Sequence, residues 1–252
     1  MIAGKKLLLN LYLWPMFVLL TLVSLLLLPI LLGTNKLFLH QPRAKFLRKL
    51  IRIHGWVLVK IVPFMAPVTI EDKTGGYEPP VIFVSNHCSS VDPYLFGALP
   101  IENAFVTSWP FRMPVYNKLM RMAEYISSED GWPVLCAQAR KLFESGSSLI
   151  FWPEGHRAKD GRLQKFKKGA FLLAHETGRS IVPVCTLGTD VFLPPGKLFF
   201  TPSKIKIILL APVSSPQQSS DDPVALLRNE TWQKIAHELN KQKGALSDSF
   251  TN

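Results

Sequence analysis

Apolar residues dominate the start of the chain and then give way to short alternating segments. Residues 7–32 carry no charge, and this run exceeds the roughly 20 residues that an α-helix needs to cross a bilayer. Pro15 and Pro29 lie inside it, and proline kinks a helix because it lacks a backbone N–H. The run therefore predicts a hydrophobic membrane-binding helix, which either spans the bilayer with a bend or enters and returns on one side.

A secretory signal peptide is the alternative interpretation of this run, with Lys5 and Lys6 as its basic n-region. The run is too long for the apolar region of a signal peptide, and no small-x-small cleavage site follows it. We therefore expect the segment to be retained.

A basic cluster follows the apolar run. By the positive-inside rule, such cations place the next domain on the cytoplasmic side of the membrane. Residues 37–67 mix basic and apolar side chains, which favours a helix lying in the membrane interface over a core helix with a solvated basic face. The cluster comprises Lys36, Arg43, Lys45, Arg48, Lys49 and Arg52.

Turn-forming residues at 71–80 mark a boundary, beyond which predicted strands alternate with predicted helices. This alternation predicts an α/β fold, with a mixed, partly parallel sheet flanked by helices. We assign residues 1–70 to a membrane-binding helical region and residues 71–252 to an α/β domain. Strands are predicted at 81–85, 103–107, 148–152, 181–186 and 204–210. Helices are predicted at 93–99, 114–123, 133–144, 168–176 and 222–241.

The net charge of +11 favours anionic partners. The apolar N-terminus indicates anionic membrane lipid, and the chain has no helix-turn-helix, zinc-finger or RNP signature that would indicate nucleic acid. Cys88, Cys136 and Cys185 are far apart and include no Cys-x-x-Cys pair. That spacing argues against a disulfide framework or a structural zinc site.

The first candidate catalytic site is the end of the predicted strand at 81–85. Asn86-His87 follows the strand, and Asp92 comes five residues after the histidine at a predicted helix start. Strand ends are where ligands bind in α/β sheets. A turn of this length can bring the Asp92 carboxylate to one imidazole nitrogen of His87 and leave the other nitrogen to accept a proton. Taken alone the spacing is weak, because a structural histidine beside an N-cap aspartate gives the same pattern.

A second strand, at 148–152, ends in Pro153-Glu154-Gly155-His156-Arg157. Gly155 permits a positive φ or a close backbone approach, and the planar guanidinium of Arg157 suits a phosphate. The cations that follow raise the local positive potential, although a surface turn with a solvated charge run is the alternative. These cations are Lys159, Arg162, Lys165, Lys167 and Lys168.

Together the two motifs resemble those of the glycerolipid and lysophospholipid acyltransferase family, which includes 1-acylglycerol-3-phosphate acyltransferases. The family motif Asn-His-x-Ser-x-x-x-Asp is matched by Asn86, His87, Ser89 and Asp92. The motif Phe-Pro-Glu-Gly-Thr-Arg is matched at Pro153, Glu154, Gly155 and Arg157, with Trp152 replacing Phe and His156 replacing Thr. Residues 181–184 resemble a further apolar Val-Pro motif. Residues 112–129 show no clear equivalent of the arginine that ends the family's second motif.

The resemblance implies a membrane-bound acyltransferase of phospholipid biosynthesis. It would move a fatty acyl group from acyl-CoA or acyl carrier protein to the hydroxyl of a lysophospholipid, and 1-acylglycerol-3-phosphate is the expected acceptor. His87 would take the proton and Asp92 would hold the imidazole, with no cofactor and no metal required. Glu154 would orient Arg157 or accept a hydroxyl hydrogen bond. The substrate-binding residues implied are Asn86, Ser89, Glu154, Gly155, His156 and Arg157.

Three alternatives stay open at this point. The altered His156 and the altered second motif favour a same-family enzyme that acts on another lysolipid or a lyso-aminolipid. A non-catalytic lipid-binding protein at the membrane surface would keep the fold without the activity. A hydrolase could use the His-Asp pair to activate water, but Gly-x-Ser-x-Gly is absent, so a serine nucleophile is not expected. Cys88 is disfavoured as a nucleophile because adjacent side chains at a strand end point in different directions.

Overall fold

The computed structural model describes residues 2–61, 66–215 and 222–248. The chain begins with helix α1 (Ile2–Thr34), which continues as a π-helical segment (Asn35–Leu39), and then forms α2 (Arg43–Lys60). The remaining helices are α3 (Asp92–Leu95), α4 (Pro114–Met122), α5 (Trp132–Glu144), α6 (Gly169–Thr177), α7 (Thr189–Phe192) and α8 (Pro223–Asp248).

The described part of the chain forms one seven-stranded mixed sheet, in the order β1-β7-β6-β2-β5-β3-β4. Neighbouring strands are parallel except β6 and β7, which are antiparallel. The predicted α/β class with a mixed sheet is confirmed. The strands are β1 (Val68–Lys73), β2 (Ile82–Ser85), β3 (Asn103–Thr107), β4 (Ile126–Ser127), β5 (Ser148–Phe151), β6 (Ile181–Leu187) and β7 (Ile205–Leu210).

The central strands have apolar side chains on both faces because helices cover both sides of the sheet. One core cluster joins the sheet to α5, α6 and α8. The other joins it to Leu9 and Leu13 of α1, to Leu95 and Phe96, and to the segment before β7. The N-terminal helix is therefore part of the same core as the sheet. The predicted division at residue 70 stays a prediction, although strand β1 runs across it.

The prediction of a turn at 71–80 is wrong for its first residues, which continue β1. This edge strand pairs only with β7 within the described residues, and its side chains are largely exposed. An edge strand with polar Thr69 and Glu71 gives no apolar signal. The turn begins after Lys73. Within β1, Oδ1 of Asp72 accepts hydrogen bonds from the backbone N–H and the hydroxyl of Thr74, at 2.9 and 2.6 Å.

Helix α2 packs closely against the short 3₁₀ segment that follows α3. A Cβ atom on Gly97 would lie 2.5 Å from the backbone nitrogen of Trp56, and one on Gly55 would lie 3.0 Å from the Tyr94 carbonyl oxygen. Two backbones can approach this closely only where both residues lack a side chain. The contact joins α2 directly to the segment that follows Asp92.

Arg48 does not belong with the lipid-facing cations to which the sequence assigned it. Its side chain is only 2% exposed, and its Nε donates to Glu102 at 2.8 Å. The other guanidinium nitrogens donate to the Ala123 carbonyl oxygen at 2.9 Å and to the Ser147 hydroxyl at 3.1 Å. A buried guanidinium with these partners anchors α2 to the body of the protein. Within the predicted cluster, Lys36, Arg43, Lys45 and Lys49 are exposed and Arg52 is half-buried.

The described segment Gly4–Leu39 is long and apolar enough to cross a membrane, judged by its length and composition. One of its faces packs on the body through Leu9 and Leu13, whereas Leu11 and Leu26 are among the leucines of the other face that stay exposed. An exposed apolar helix of this kind fits the predicted membrane association. Of the predicted interfacial segment, residues 62–65 lie outside the described part of the chain.

Candidate active site

His87 and Asp92 are in contact at the carboxyl end of β2. The Nδ1 atom of His87 lies 2.8 Å from Asp92 Oδ2. The same carboxylate oxygen accepts the backbone N–H groups of Cys88 and Ser89, at 2.8 and 2.9 Å. The contact predicted from the spacing is therefore present, and the whole turn closes around one oxygen atom.

This geometry decides which imidazole nitrogen is free to react. Because Asp92 accepts at Nδ1, the proton of a neutral His87 lies on Nδ1 and Nε2 carries the lone pair. The His87 side chain is 18% exposed and Asp92 is fully buried. Nε2 therefore has access to solvent or substrate, while the buried carboxylate can stabilise the imidazolium once it forms.

Glu154 holds the His87 segment from the neighbouring strand. Its Oε1 accepts the backbone N–H of His87 at 2.7 Å, and its Oε2 accepts that of Gln164 at 3.0 Å. Both carboxylate oxygens of Glu154 therefore bind backbone amides. Its predicted role toward Arg157 or a substrate hydroxyl stays a prediction. Burial raises the pKa of Glu154, and the two backbone hydrogen bonds oppose that rise.

Asn86 and Ser89 fix the turn from its other side. The Asn86 amide exchanges two hydrogen bonds with the backbone of Thr186 on β6, at 2.9 and 2.8 Å. The Ser89 hydroxyl donates to the Leu193 carbonyl oxygen at 2.6 Å. Both side chains are buried, so the structure gives them a positioning contact. Their predicted contact with substrate stays a prediction.

The second motif lies against the first because β2 and β5 are adjacent parallel strands. The backbone N–H of Ala158 donates to the His87 carbonyl oxygen at 2.7 Å, so the motif wraps over the histidine. Gly155 has a φ of 76°, in the left-handed region that its glycine identity permits. Gly155, His156 and Arg157 are exposed, and none of the described residues forms a hydrogen bond or ion pair with the Arg157 side chain. Arg157 is therefore free to meet an anionic ligand.

Trp152 is a site contact that sequence reasoning did not assign. Its ring centroid lies 5.2 Å from that of His87, at an interplanar angle of 35°. The rings of Phe96 and Phe105 pack against its other sides at 5.8 and 5.6 Å. The signal available was its place at the end of β5, directly before Pro153. The packing restrains the rotation of the His87 imidazole.

Cys88 is adjacent to His87 in sequence but is not poised to react. Its side chain is buried, and burial raises the pKa of its thiol to about 12, with the negative charge of Asp92 adding to the effect. A thiol with so high a pKa carries almost no thiolate at neutral pH, and the thiolate is the nucleophile. Within the described residues no cluster of three or more His, Cys, Asp or Glu side chains could hold a metal ion.

Comparison with known proteins agrees with these two motifs. Residues 67–187 match the Acyltransferase family model. A chloroplastic 1-acyl-sn-glycerol-3-phosphate acyltransferase from Arabidopsis thaliana is 30% identical over 218 residues, which cover 83% of this chain. Residues 67–187 therefore belong to the Acyltransferase family.

A further relative extends the acyltransferase match. A chloroplastic enzyme of the same name from Brassica napus is 30% identical over 211 residues, or 81% of this chain. The chain spans 59% of the length of each of these two plant acyltransferases.

A solved acyltransferase structure has the same fold. The 1-acyl-sn-glycerophosphate (LPA) acyltransferase PlsC from Thermotoga maritima superposes with a TM-score of 0.77 and a sequence identity of 24%. The superposition covers 96% of this chain and 98% of that protein. Because it covers nearly the whole chain, the N-terminal helices belong to the shared fold.

Proposed function

We propose that this protein transfers a fatty acyl group from an acyl thioester to the free hydroxyl of 1-acylglycerol-3-phosphate, at a membrane surface and in phospholipid biosynthesis. The observation that carries the proposal is the His87–Asp92 pair, which leaves Nε2 free beside an exposed cationic loop. The names of the plant relatives support the choice of acceptor.

The reaction follows from the free nitrogen. His87 Nε2 removes the proton of the acceptor hydroxyl while the oxygen attacks the thioester carbonyl carbon. The tetrahedral adduct then collapses, the carbon–sulfur bond breaks, and His87 returns the proton to the departing thiolate. Asp92 holds the imidazole through Nδ1 and balances the positive charge of the imidazolium. The products are diacylglycerol-3-phosphate and a free thiol.

The acceptor phosphate binds at the exposed end of the second motif. Arg157 presents a planar set of donors that matches a phosphate, and the exposed lysines near it add positive potential. Lys167 crosses Gly155, because a Cβ atom there would lie 2.4 Å from Lys167 Nζ. Lys167 thus lies beside the motif that contains Arg157.

The catalytic body lies on the cytoplasmic face of the membrane in this proposal. Exposed Lys36, Arg43, Lys45 and Lys49 follow α1 and favour that side. The same cations would contact anionic lipid headgroups.

An acyl-transfer assay tests the proposed reaction. Detergent-purified protein receives labelled acyl-CoA or labelled acyl carrier protein thioester, each with lysophosphatidic acid and a panel of other lysolipids. We expect labelled diacylglycerol-3-phosphate from at least one donor. The donor that gives product identifies the acyl carrier. Labelled product from another lysolipid alone would show that the acceptor is that lysolipid and not lysophosphatidic acid. Free fatty acid without an acceptor would indicate a hydrolase, and no turnover with any pair would contradict the proposal.

Replacing Arg157 with alanine is expected to raise the KM for the acceptor by about tenfold or more, with a smaller change in kcat. The loss of a charge-assisted contact to phosphate is worth roughly 1.5–3 kcal/mol. Steady-state kinetics with varied lysophosphatidic acid measures it. Arg140→Ala, an equal charge change on the exposed side of α5, should leave KM unaltered. Equal KM values for the two variants would remove Arg157 from the headgroup site.

Replacing Gly155 with alanine tests the position of Lys167. The left-handed φ predicts a loss of about 1–2 kcal/mol in unfolding free energy. Gly146→Ala is the matched control, because its φ is 81° and no atom lies within 4 Å of an added Cβ. We expect similar losses in thermal unfolding for both variants. Only Gly155→Ala should also raise the acceptor KM, because its methyl group displaces the Lys167 side chain. An unchanged KM in both variants would show that the position of Lys167 does not matter.

A further inference from the structure

The segment between α7 and β7 carries an exposed apolar tip, which we define as Leu198 and Phe199. Their side chains are 72% and 63% exposed. Outside residues 2–39, no large apolar residue in the described part of the chain is more exposed than Leu198. Scattered exposed apolar residues are normal on soluble proteins, but two adjacent ones beside an apolar helix enlarge a single continuous patch.

The apolar tip is fixed to α1 by three hydrogen bonds. The Asn10 amide donates to the Phe200 carbonyl oxygen and accepts the Phe200 backbone N–H, both at 2.8 Å. The indole N–H of Trp14 donates to the Leu198 carbonyl oxygen at 3.0 Å, and the Trp14 and Phe200 rings lie 5.2 Å apart. Because Asn10 and Phe200 are buried, this connection is part of the core. The tip therefore keeps a fixed position relative to α1.

The surroundings of the apolar tip match a lipid surface. Leu11, on the same turn of α1 as Asn10 and Trp14, is exposed, so the apolar face of α1 continues toward the tip. Lys197 directly precedes the tip and is exposed, as is Lys204 at the end of the segment. Apolar side chains flanked by lysines are typical of segments that insert at an anionic membrane interface.

We propose that the apolar tip inserts into the acyl-chain region of the same leaflet that α1 contacts, with Lys197 at the level of the lipid phosphates. The tip is then a second membrane contact, separate in sequence from the N-terminal helices. A second copy of the chain is the competing occupant. The continuity of the tip with α1, which is apolar enough to enter a membrane, favours lipid.

The inserted tip and the catalytic turn share one support. Leu193, at the start of the same segment, accepts the hydroxyl hydrogen bond of Ser89, and the backbone N–H of Thr201 donates to the Phe192 carbonyl oxygen at 2.8 Å. Insertion of the tip therefore fixes the orientation of the His87 turn relative to the bilayer.

Site-specific fluorescence in membranes tests the proposal. In a Cys136→Ser background, where Cys88 and Cys185 are buried, Phe199→Cys is labelled with an environment-sensitive dye such as NBD. Val134→Cys is the matched control, because Val134 is 44% exposed on α5 and α5 packs on the other core cluster. Both proteins are reconstituted in vesicles of phosphatidylcholine and phosphatidylglycerol. Circular dichroism confirms that each labelled variant is folded, and Leu198→Cys replaces Phe199→Cys if it is not.

We expect the dye at position 199 to emit at shorter wavelength, to be quenched by nitroxide-labelled lipid and to be several-fold less sensitive to iodide than the dye at position 134. Equal behaviour at the two positions would overturn the proposal. Shielding at position 199 that disappears on dilution with excess lipid would assign the tip to a second copy, and would also overturn it. Neither readout requires acyl transfer, so the result is independent of the proposed reaction.

Discussion

Replacing His87 with alanine is expected to lower kcat for acyl transfer by about 10²–10⁴-fold, the usual contribution of a general base. The variant loses the only proposed proton acceptor, the Nε2 atom that Asp92 leaves free. The effect is measured from initial rates of labelled diacylglycerol-3-phosphate formation at saturating donor and acceptor. Thermal unfolding should change little, because His87 is partly exposed and its side chain bonds only Asp92 among the described residues.

His175→Ala is the control for that experiment. His175 is an exposed histidine on α6, and its Nδ1 contacts only the Ser215 hydroxyl within the described residues, at 2.8 Å. We expect wild-type rates from this variant. A His87→Ala enzyme that retains activity within a few-fold of wild type would contradict the proposed base and would require another proton acceptor.

Replacing Asp92 with asparagine is expected to lower kcat by about 10²-fold or more while leaving the turn in place. The asparagine oxygen can occupy the position of Asp92 Oδ2. It can still accept the ring Nδ1–H of His87 and the backbone N–H groups of Cys88 and Ser89. The variant lacks the negative charge that stabilises the imidazolium in the transition state. Its amide NH₂ would replace Oδ1, which is buried and accepts no hydrogen bond from the described residues. Burying this group without a partner predicts a loss of about 1–3 kcal/mol in stability.

The measurements for Asp92→Asn are kcat, the acceptor KM and the midpoint of thermal unfolding. Asp222→Asn removes the same charge at the start of α8, where the aspartate accepts the backbone N–H of Ala225 at 2.9 Å. Asparagine caps helices as well as aspartate does, so this control should match the wild type in both rate and stability. A wild-type kcat in Asp92→Asn would show that the negative charge of Asp92 has no part in catalysis.

The sequence predicted the contacts that are local and missed those that depend on strand pairing. His87 and Asp92 are five residues apart, so a single turn is enough to join them. Glu154 is 67 residues from His87, and its bond to the His87 backbone exists only because β2 lies beside β5. No spacing rule contains that information. The Asn86 bond to Thr186 on β6 was missed for the same reason.

The strands were predicted where burial makes the sequence uniformly apolar. The five predicted strands are present with bounds shifted by no more than one residue, because β2, β5 and β6 are buried on both faces. The exposed edge strand β1 and the two-residue strand β4 carry no such signal and were missed. Arg48 shows a related limit: the helical pattern places it on α2 but does not reveal that Glu102 is its partner.

The contact between Gly55 and Gly97 has a consequence for how this protein could be divided or engineered. Because α2 and the segment that follows Asp92 meet backbone to backbone, no layer of side chains separates these two elements at this contact. Leu9 and Leu13 share a core cluster with Phe83 of the central strand β2. A soluble fragment that starts at β1 would expose this cluster to water and lose its stabilisation. Helix α1 therefore cannot be replaced without affecting the core. Any redesign for solubility must supply new side chains for its buried face as well as for its exposed apolar face.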